Sequence, residues 1–562
     1  AHSLYPNPNE GIPFEHLVYL NNGDGSFRDH SDASGLRAIQ AGFFAYGDVD
    51  NDGDQDVFAG LDINLPANTN RILINDGSGV FTPRSGSGVE GLSKSASTAV
   101  FLDYDSDGAL DLYVGHGHTS FRVADNLLKG RGDGTFEDVT GLLSGNRAVP
   151  SNGSVACDYD NDGDQDIFVS TYSVSTQLGA NILFENTGNG FEDTSVARGF
   201  ASLATGNYFL STTGNGADSE PGQGPGQYVG SNGFGIDCAD VTGDGLLDIY
   251  LATISHPVDQ DYSRKWSDPS QLLVNGGSEA GFAFGNEFRA RGLPFNEGDI
   301  DAATVDFDND SRLDLSVTRD NKYERNYTGI EQKSWFGLMH QQPNGEFSSL
   351  GTTIGINGVD AELDASLTDC TEDGQCPEGE ACLRDRCRVP CQQVSDCRSA
   401  EEICHSEGFC RLLVRMKKGQ NHAWSDIDRD GDMDLLVGGR DAGGGRPNFL
   451  FRNELGHNNR WIAFEVEGDG ENVNRDGVGT RVTLTYEGGV LTRELHTSRG
   501  TYNSTDMRAL HFGLGELPWQ VDDISMLIRG EEGARVRVTG GRVSGRGLDM
   551  ELFLTGLILE ST

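Results

Sequence analysis

One nine-residue pattern of alternating aspartates recurs six times along the chain and narrows the possible folds more than any other feature. It reads DVDNDGDQD from Asp48, DYDSDGALD from Asp103, DYDNDGDQD from Asp158, DVTGDGLLD from Asp240, DFDNDSRLD from Asp306 and DIDRDGDMD from Asp426. The first three copies begin 55 residues apart, and later spacings grow as insertions intervene. A unit of that size suits a blade of four strands better than a small helical repeat. Between copies, an apolar strand, a Gly-rich turn and a Phe return as RILINDGSGVF from Arg71, NLLKGRGDGTF from Asn126 and NILFENTGNGF from Asn181. These read as the second hairpin of each blade.

The spacing also dictates a chemistry. Oxygen ligands at positions one, three and five, a backbone carbonyl near seven and a carboxylate at nine can wrap one hard cation, and calcium accepts that many oxygens. In the first copy the ligands are Asp48, Asp50, Asp52 and Asp56, with Asp54 offering its carbonyl and Gly53 permitting the bend. The second supplies Asp103, Asp105, Asp107 and Asp111, and the third Asp158, Asp160, Asp162 and Asp166, with Asp164 at position seven. The fourth supplies Asp240, Thr242, Asp244 and Asp248, and the fifth Asp306, Asp308, Asp310 and Asp314. The sixth has Asp426, Asp428, Asp430 and Asp434, with Asp432 at position seven. Thr242 at position three and Ser311 in place of the bend glycine predict weaker binding in copies four and five.

An EF-hand shares the aspartate spacing but needs a bidentate Glu at position twelve and flanking helices. Position twelve is Ala59, Val114, Val169, Leu251, Val317 or Val437, and position nine runs into strand-like pairs such as Val57-Phe58 and Ile167-Phe168. The loop therefore sits inside a β-hairpin. Magnesium, which demands octahedral geometry and keeps its water, fits less well. Plain turns would account for Asp and Gly, but not for the repeated ligand spacing.

The Asp loops resemble the FG-GAP or VCBS repeats of integrin-α-type propellers, over residues 1–457. The resemblance implies an all-β, calcium-loaded β-propeller of seven blades, with six as the alternative count. Residues 17–30 look like third and fourth strands with no Asp loop before them, and Asn448 to Asn453 gives an unmatched third strand.

Composition agrees. Gly occupies 77 of 562 positions and Pro only 16, a profile of short strands and turns. With 87 acidic against 42 basic residues the formal charge is −45, which repels nucleic acid and anionic membrane and makes divalent cations the natural counter-charge. No run approaches the roughly 18 apolar residues of a membrane span, so no direct membrane insertion is expected. The chain opens at Ala1 with neither Met nor a signal segment, and any export signal is expected to have been removed or never included.

If the Asp loop joins strands one and two, the two–three and four–one connections all leave from the opposite face. Aromatic and basic residues gather in those long connections: Tyr262, Arg264, Lys265, Trp266, Lys322, Tyr323, Arg325, Tyr327 and Trp335. That mixture favours recognition, and these residues are the candidate ligand face for a protein or glycan partner. Packing anchors for the loops themselves are the alternative. His116-Gly117-His118 lacks a third metal ligand, and Arg131-Gly132-Asp133 falls in the same turn as Asn22-Gly23-Asp24-Gly25 of another blade.

Eight of ten cysteines crowd together as two four-Cys units: Cys370, Cys376, Cys382 and Cys387, then Cys391, Cys397, Cys404 and Cys410. Without paired C-x2-C spacing for zinc they form a disulfide module, taken as residues 367–412, whose connectivity spacing does not fix. It loosely resembles EGF-like modules, lies in a four–one connection, and implies an oxidising, secreted or cell-surface location. Cys157 and Cys238 beside Asp loops are either buried thiols or a bridge between blades.

After Asn453 the Asp repeats stop, and strand-like WIAFEVEG from Trp461 and RVTLTYEGG from Arg481 open a second β unit, residues 458–562. It resembles the ASPIC/UnbV domain through Asn474-Arg475-Asp476-Gly477-Val478-Gly479-Thr480-Arg481-Val482, Gly500-Thr501-Tyr502 and His511-Phe512-Gly513-Leu514-Gly515. A later Trp-Pro-x-Gly segment appears only as Leu527-Ile528-Arg529-Gly530. The combination with a propeller resembles the cartilage acidic protein family. The expected function is that of a calcium-rigidified adhesion or matrix-type binding protein. The alternatives are a propeller-scaffold enzyme acting on polysaccharide, or a structural cell-surface component. No G-x-S-x-G, H-E-x-x-H, Walker loop or dinucleotide fingerprint is present, so no enzymatic activity is expected.

Overall fold

A computed structural model describes residues 2–4, 15–61, 69–93, 95–117, 123–172, 180–201, 233–254, 270–294, 298–319, 335–350, 356, 368, 370–383, 386–398, 402–404, 408–412, 416–441, 448–456, 459–486, 488–501, 503–515, 523–527, 535–542 and 548–553. Among them the regular structure is β, with short 3-10 turns and no helix long and apolar enough to cross a membrane.

Each aspartate pattern closes a tight antiparallel hairpin. Blade one runs Phe43–Gly47, Asp56–Gly60, Arg71–Asn75 and Phe81–Pro83, paired in sequence order. Blade two runs Ala96–Leu102, Asp111–His116, Asn126–Gly130 and Phe136–Asp138. Blade three is built on Ser151–Cys157, Asp166–Thr171, Ile182–Asn186 and Phe191–Asp193. Blade four follows as Gly233–Ala239, Asp248–Thr253, Gln271–Asn275 and Phe284–Asn286. Blade five is Asp299–Val305, Asp314–Arg319, Phe336–Gln341 and Phe347–Ser349. Blade six has three described strands, Met416–Ser425, Asp434–Asp441 and Asn448–Phe451.

The second strands of blades one to four are buried along their whole length. That is why they read as continuous apolar runs: each sheet packs on a neighbour through both faces. Phe58 and Ile72 of blade one meet Phe101 and Leu112 of blade two, Phe184 and Phe191 of blade three meet Tyr113 of blade two, and equivalent cores fill the later gaps. First strands of consecutive blades lie side by side around the centre.

The ring closes on the N-terminal hairpin Tyr19–Asn21 and Phe27–Asp29. Its place is fixed by a bond that repeats around the ring. From blade three onward, a side-chain amide at the end of the third strand donates to the position-two carbonyl of the preceding blade's Asp loop: Asn186 to Tyr104 at 2.9 Å, Asn275 to Tyr159 at 2.8 Å and Gln341 to Val241 at 2.8 Å. Asn453 does the same to Phe307, and Asn21 to Ile427 of loop six at 2.7 Å. Val18 beside the hairpin packs with Phe44, Leu73 and Phe81 of blade one. The hairpin therefore stands between blades six and one as the seventh blade. The fold is an all-β, seven-bladed propeller.

Residues after 458 form two further sheets. One orders Leu510–Gly515, Arg460–Glu467, Arg535–Arg542 and Leu548–Phe553; the other orders Gly489–Glu494, Arg481–Tyr486 and Asp523–Leu527. They share a core of Phe464, Val482, Leu484, Leu491 and Phe512. This unit does not trail the propeller as an independent appendage. Its segment 497–504 enters the centre of the ring, where inner strands would otherwise leave edge N–H and C=O groups unpaired. Gly500–Thr501 pairs antiparallel with Gly153–Ser154, Thr497 bonds both backbone groups of Phe101, and Asn503 bonds those of Ala99. Gly500 has φ +67°, and a Cβ there would lie 2.8 Å from Asp301, so no other residue fits without strain.

Arg499 anchors the insertion and is among the largest fully buried side chains. It forks onto Asp506 at 2.7 and 3.1 Å, reaches Asp301 at 3.3 Å and donates to the carbonyls of Ala302 and His422. Asp301 also accepts from the His422 backbone at 3.0 Å and from Ser504 at 2.8 Å. Burial alone would push the Asp301 carboxyl up; Arg499 and His422 hold it below the ordinary value.

All ten cysteines are bridged. Cys157 and Cys238 join the first strands of blades three and four, which settles the alternative left open by sequence. In each four-Cys unit the first pairs with the third and the second with the fourth: Cys370–Cys382, Cys376–Cys387, Cys391–Cys404 and Cys397–Cys410. Each unit carries one short hairpin.

Removing one member of a buried charge pair strands the other, so Arg499→Ala is expected to destabilise the chain by about 3–5 kcal/mol in urea unfolding. A loss below about 1 kcal/mol, the scale of a surface pair, would show that the insertion is peripheral to stability.

Candidate functional site

The six Asp loops share one end of the ring and one backbone design. Position four is left-handed in each, at Asn51, Ser106, Asn161, Gly243, Asn309 and Arg429, and so is position six, at Gly53, Gly108, Gly163, Gly245, Ser311 and Gly431. This double left-handed turn folds position one back over the loop. Asp48 accepts from the N–H groups of Asp52 and Gly53 at 3.2 and 2.7 Å, and Asp103, Asp240, Asp306 and Asp426 repeat the pair. The position-nine carboxylate lies at the start of the second strand and takes the N–H of the third strand's end. Asp56 takes Asn75, Asp111 takes Gly130, Asp166 takes Asn186, Asp248 takes Asn275, Asp314 takes Gln341 and Asp434 takes Asn453, all at 2.7–2.9 Å.

Position three is different. Asp50 Oδ1, Asp160 Oδ1, Thr242 Oγ1, Asp308 Oδ1 and Asp428 Oδ1 are buried and have no hydrogen-bond partner. A buried oxygen left in this state is costly unless a ligand completes it. Ligand atoms of Asp48, Asp50 and Asp56, and of Asp103, Asp105 and Asp107, lie within 4.8 Å of one another. Together with the position-seven carbonyls, these oxygen-only sets fit a hard divalent cation. In three loops a basic side chain from the third strand also leans on positions three and five. Lys129 bridges Asp105 and Asp107, His340 lies 3.1 and 3.3 Å from Asp308 and Asp310, and Arg452 lies 3.0 and 3.6 Å from Asp428 and Asp430.

The C-terminal unit roofs this face. Asp476 accepts from the Asp48 N–H at 2.9 Å and from Gln55 at 2.6 Å, and Asn51 donates to the Gly470 carbonyl at 3.0 Å. Asn474 reaches Asp103 at 3.4 Å; Glu494 accepts from the Asp158 N–H at 3.1 Å while pairing with Arg481 at 2.7 Å. His511 meets Asn309 at 2.7 Å. The Asn-Arg-Asp and His-Phe-Gly stretches that carried the sequence resemblance are thus docking residues. Sequence reasoning assigned no role to the position-four asparagines or the strand-ending asparagines, although RILIN, ILFEN and QLLVN displayed the latter's recurrence.

Of the candidate ligand face, Tyr262, Arg264, Lys265, Trp266, Lys322, Tyr323, Arg325 and Tyr327 lie outside the described residues. Trp335 is a correction: it is 7% exposed and stacks on Phe449 and Phe451 in the core between blades five and six. An aromatic bordering a long connection is there to pack it. His116 is buried against Asn126, and Arg131-Gly132-Asp133 forms a turn in which Asp133 accepts from Thr135, as Asp24 does from Ser26.

A profile for FG-GAP-like repeats matches residues 48–114, and one for ASPIC and UnbV matches residues 470–527. The chain thus carries an FG-GAP-like repeat in its propeller and an ASPIC/UnbV domain after it. No curated protein matches it. Among solved structures it is similar to a Bacillus licheniformis rhamnogalacturonan lyase, at 12% identity and TM-score 0.28, over 74% of this chain and 72% of that one. It is likewise similar to the six-bladed, fucose-recognising lectin of the fungus Aleuria aurantia, at 12% identity and TM-score 0.27, over 70% and 86%. At such distances neither likeness bears on what this propeller binds.

Burial, reinforced by neighbouring carboxylates, pushes Asp56 and Asp248 up to about 8, Asp306 to about 7, and Asp48, Asp160 and Asp426 to about 6. With folded values above the unfolded one of about 4, the cation-free protein holds more protons than its unfolded chain, so its stability falls as pH rises from about 4 to 8. Chelated protein is expected to melt lower at pH 8 than at pH 5, and the opposite order would refute this account of the loops. Separately, Ser311 adopts φ +82°, and Ser311→Gly is expected to gain about 1 kcal/mol in denaturant unfolding; a loss would mean that the serine side chain is needed there.

Proposed function

We propose that this protein is a secreted or cell-surface, calcium-binding adhesion or matrix-type protein that holds a protein or glycan partner without transforming it. The observation that carries the reading is the set of orphaned position-three oxygens, repeated in five of the six loops. Calcium is the cation proposed because the donors of the repeated pattern are carboxylates and carbonyls. By uniting positions one, three, five and nine, each ion would tie a loop to its own blade, and the strand-ending asparagine would carry that rigidity to the next blade.

With the ASPIC/UnbV domain over the Asp-loop face, the two–three and four–one connections at the other end of the ring are proposed to meet the partner. The disulfide module lies in one of those connections, and five bridges support an oxidising, extracellular setting. Pairing of the two modules supports membership of the cartilage acidic protein family.

One arrangement invites an enzymatic reading. Ser316 Oγ lies 2.8 Å from His422 Nε2, and His422 Nδ1 lies 3.0 Å from Asp301. Ser316 is fully buried, however, and its hydroxyl accepts from Trp424 Nε1 at 3.0 Å. The three residues tie blades five and six together, and a nucleophile closed to solvent attacks nothing.

Plasma-emission analysis of chelator-free protein is expected to find several calcium ions per chain, and chelation is expected to lower the melting temperature at pH 7.5 by about 10 °C or more, on the scale set by losing several sites. Deleting residues 255–269 or 320–334 is expected to preserve calcium content and folding while abolishing capture on glycan or protein arrays. Calcium-free protein that melts unchanged after chelation would sink the metal reading; capture that survives both deletions would sink the proposed face.

A further inference from the structure

The fifth loop is built unlike the other five. The residue just before the end of the third strand, beside the loop, is Ile74, Lys129, Glu185, Val274 and Arg452 in the other Asp-loop blades, but His340 in blade five. Its imidazole Nε2 points between Asp308 and Asp310, and ligand atoms of Asp308, Asp314 and His340 lie within 4.8 Å of one another.

Asp314 supplies an independent sign. In the other loops, Oδ2 of the position-nine aspartate accepts the N–H of position two: Asp56 from Val49, Asp111 from Tyr104, Asp166 from Tyr159, Asp248 from Val241 and Asp434 from Ile427, at 3.0–3.4 Å. Asp314 is fully buried, yet its Oδ2 has no hydrogen-bond partner, and neither has Asp308 Oδ1. Two carboxylate oxygens are therefore released toward the one loop that owns a ring nitrogen.

We propose that loop five is a mixed nitrogen–oxygen site for a transition-metal dication of the zinc type, held by His340 Nε2, Asp314 and Asp308. The proposal rests on the Asp loops being metal sites, but its donor set is distinct. Calcium takes oxygen ligands, whereas one imidazole with two carboxylates suits zinc, cobalt and their neighbours. The outer partner is in place: the Gln342 side-chain amide lies 3.0 Å from His340 Nδ1. A half-turn of that amide presents its oxygen to Nδ1–H and leaves Nε2 bare for metal, as outer partners of ligating histidines do. Lys129 and Arg452, in blades two and six, cannot play this part, because a protonated amine or guanidinium has no lone pair to give. The competing arrangement is a metal-free ion pair in which His340 acts as their equivalent.

The test uses the full chain, stripped with EDTA, reloaded with excess calcium and titrated with Co2+. One Co2+ per chain is expected to bind with visible d–d absorption, to persist in the calcium excess and to be displaced by Zn2+. His340→Ala is expected to weaken Co2+ binding by more than the ~10–100-fold that follows loss of an outer partner. His340→Lys, which restores the cation of blade two, is expected to lose Co2+ while keeping the circular dichroism spectrum and calcium content of the parent. Co2+ that calcium displaces, or that both variants retain, would overturn the assignment in favour of the ion pair. Calcium is counted on the same samples, so a general failure of the Asp loops to bind calcium is read separately from the His340-dependent cobalt signal.

Discussion

The position-nine aspartate is the constraint from which the rest of the architecture follows. Buried at the start of each second strand, it takes the N–H of its own blade's third strand. A loop, two strands and a blade edge are thereby fixed by one side chain. Burying six such carboxylates beside others is unfavourable in isolation, as their raised proton affinities show. The same crowding that opposes the metal-free ring is what makes each loop a candidate cation cage, so the stability of the scaffold and the chemistry of its loops cannot be separated.

Two sets of contacts carry this local order around the ring. The strand-ending amides reach back to the preceding loop, and the ASPIC/UnbV domain spans loops on both sides of the centre through Asp476, Asn474, Arg481, Glu494 and His511. The inserted segment then pairs inner-strand groups that would otherwise need water or another partner. The two matched families are in this chain parts of one hydrogen-bonded body.

Much of this was legible in the residues because the Asp pattern has to be local: nine consecutive residues supply the turn, the ligands and the first step of the next strand. The second hairpins were legible for the same reason. What could not be read was anything depending on residues hundreds of positions apart. Arg499 looks like an ordinary surface arginine until Asp301 and Asp506 surround it, and Gly500-Thr501 is a family signature whose purpose appears only beside Gly153. Trp335 was misplaced because it borders a long connection, where an aromatic serves recognition or packing equally well by composition; stacking on Phe449 and Phe451 decides for packing. The seventh blade was ambiguous because its evidence, Asn21, differs from any turn asparagine only through its bond to Ile427.

The central insertion also bears on how the molecule is made. Backbone groups on the inner strands of blades two, three, five and six gain partners only when residues 497–504 arrive, and those follow all the blades in the chain. Until then the chain holds a ring with a hollow axis and exposed edge groups, a state in which misassembly competes with closure. The propeller is thus a wheel whose axle is fitted after its spokes.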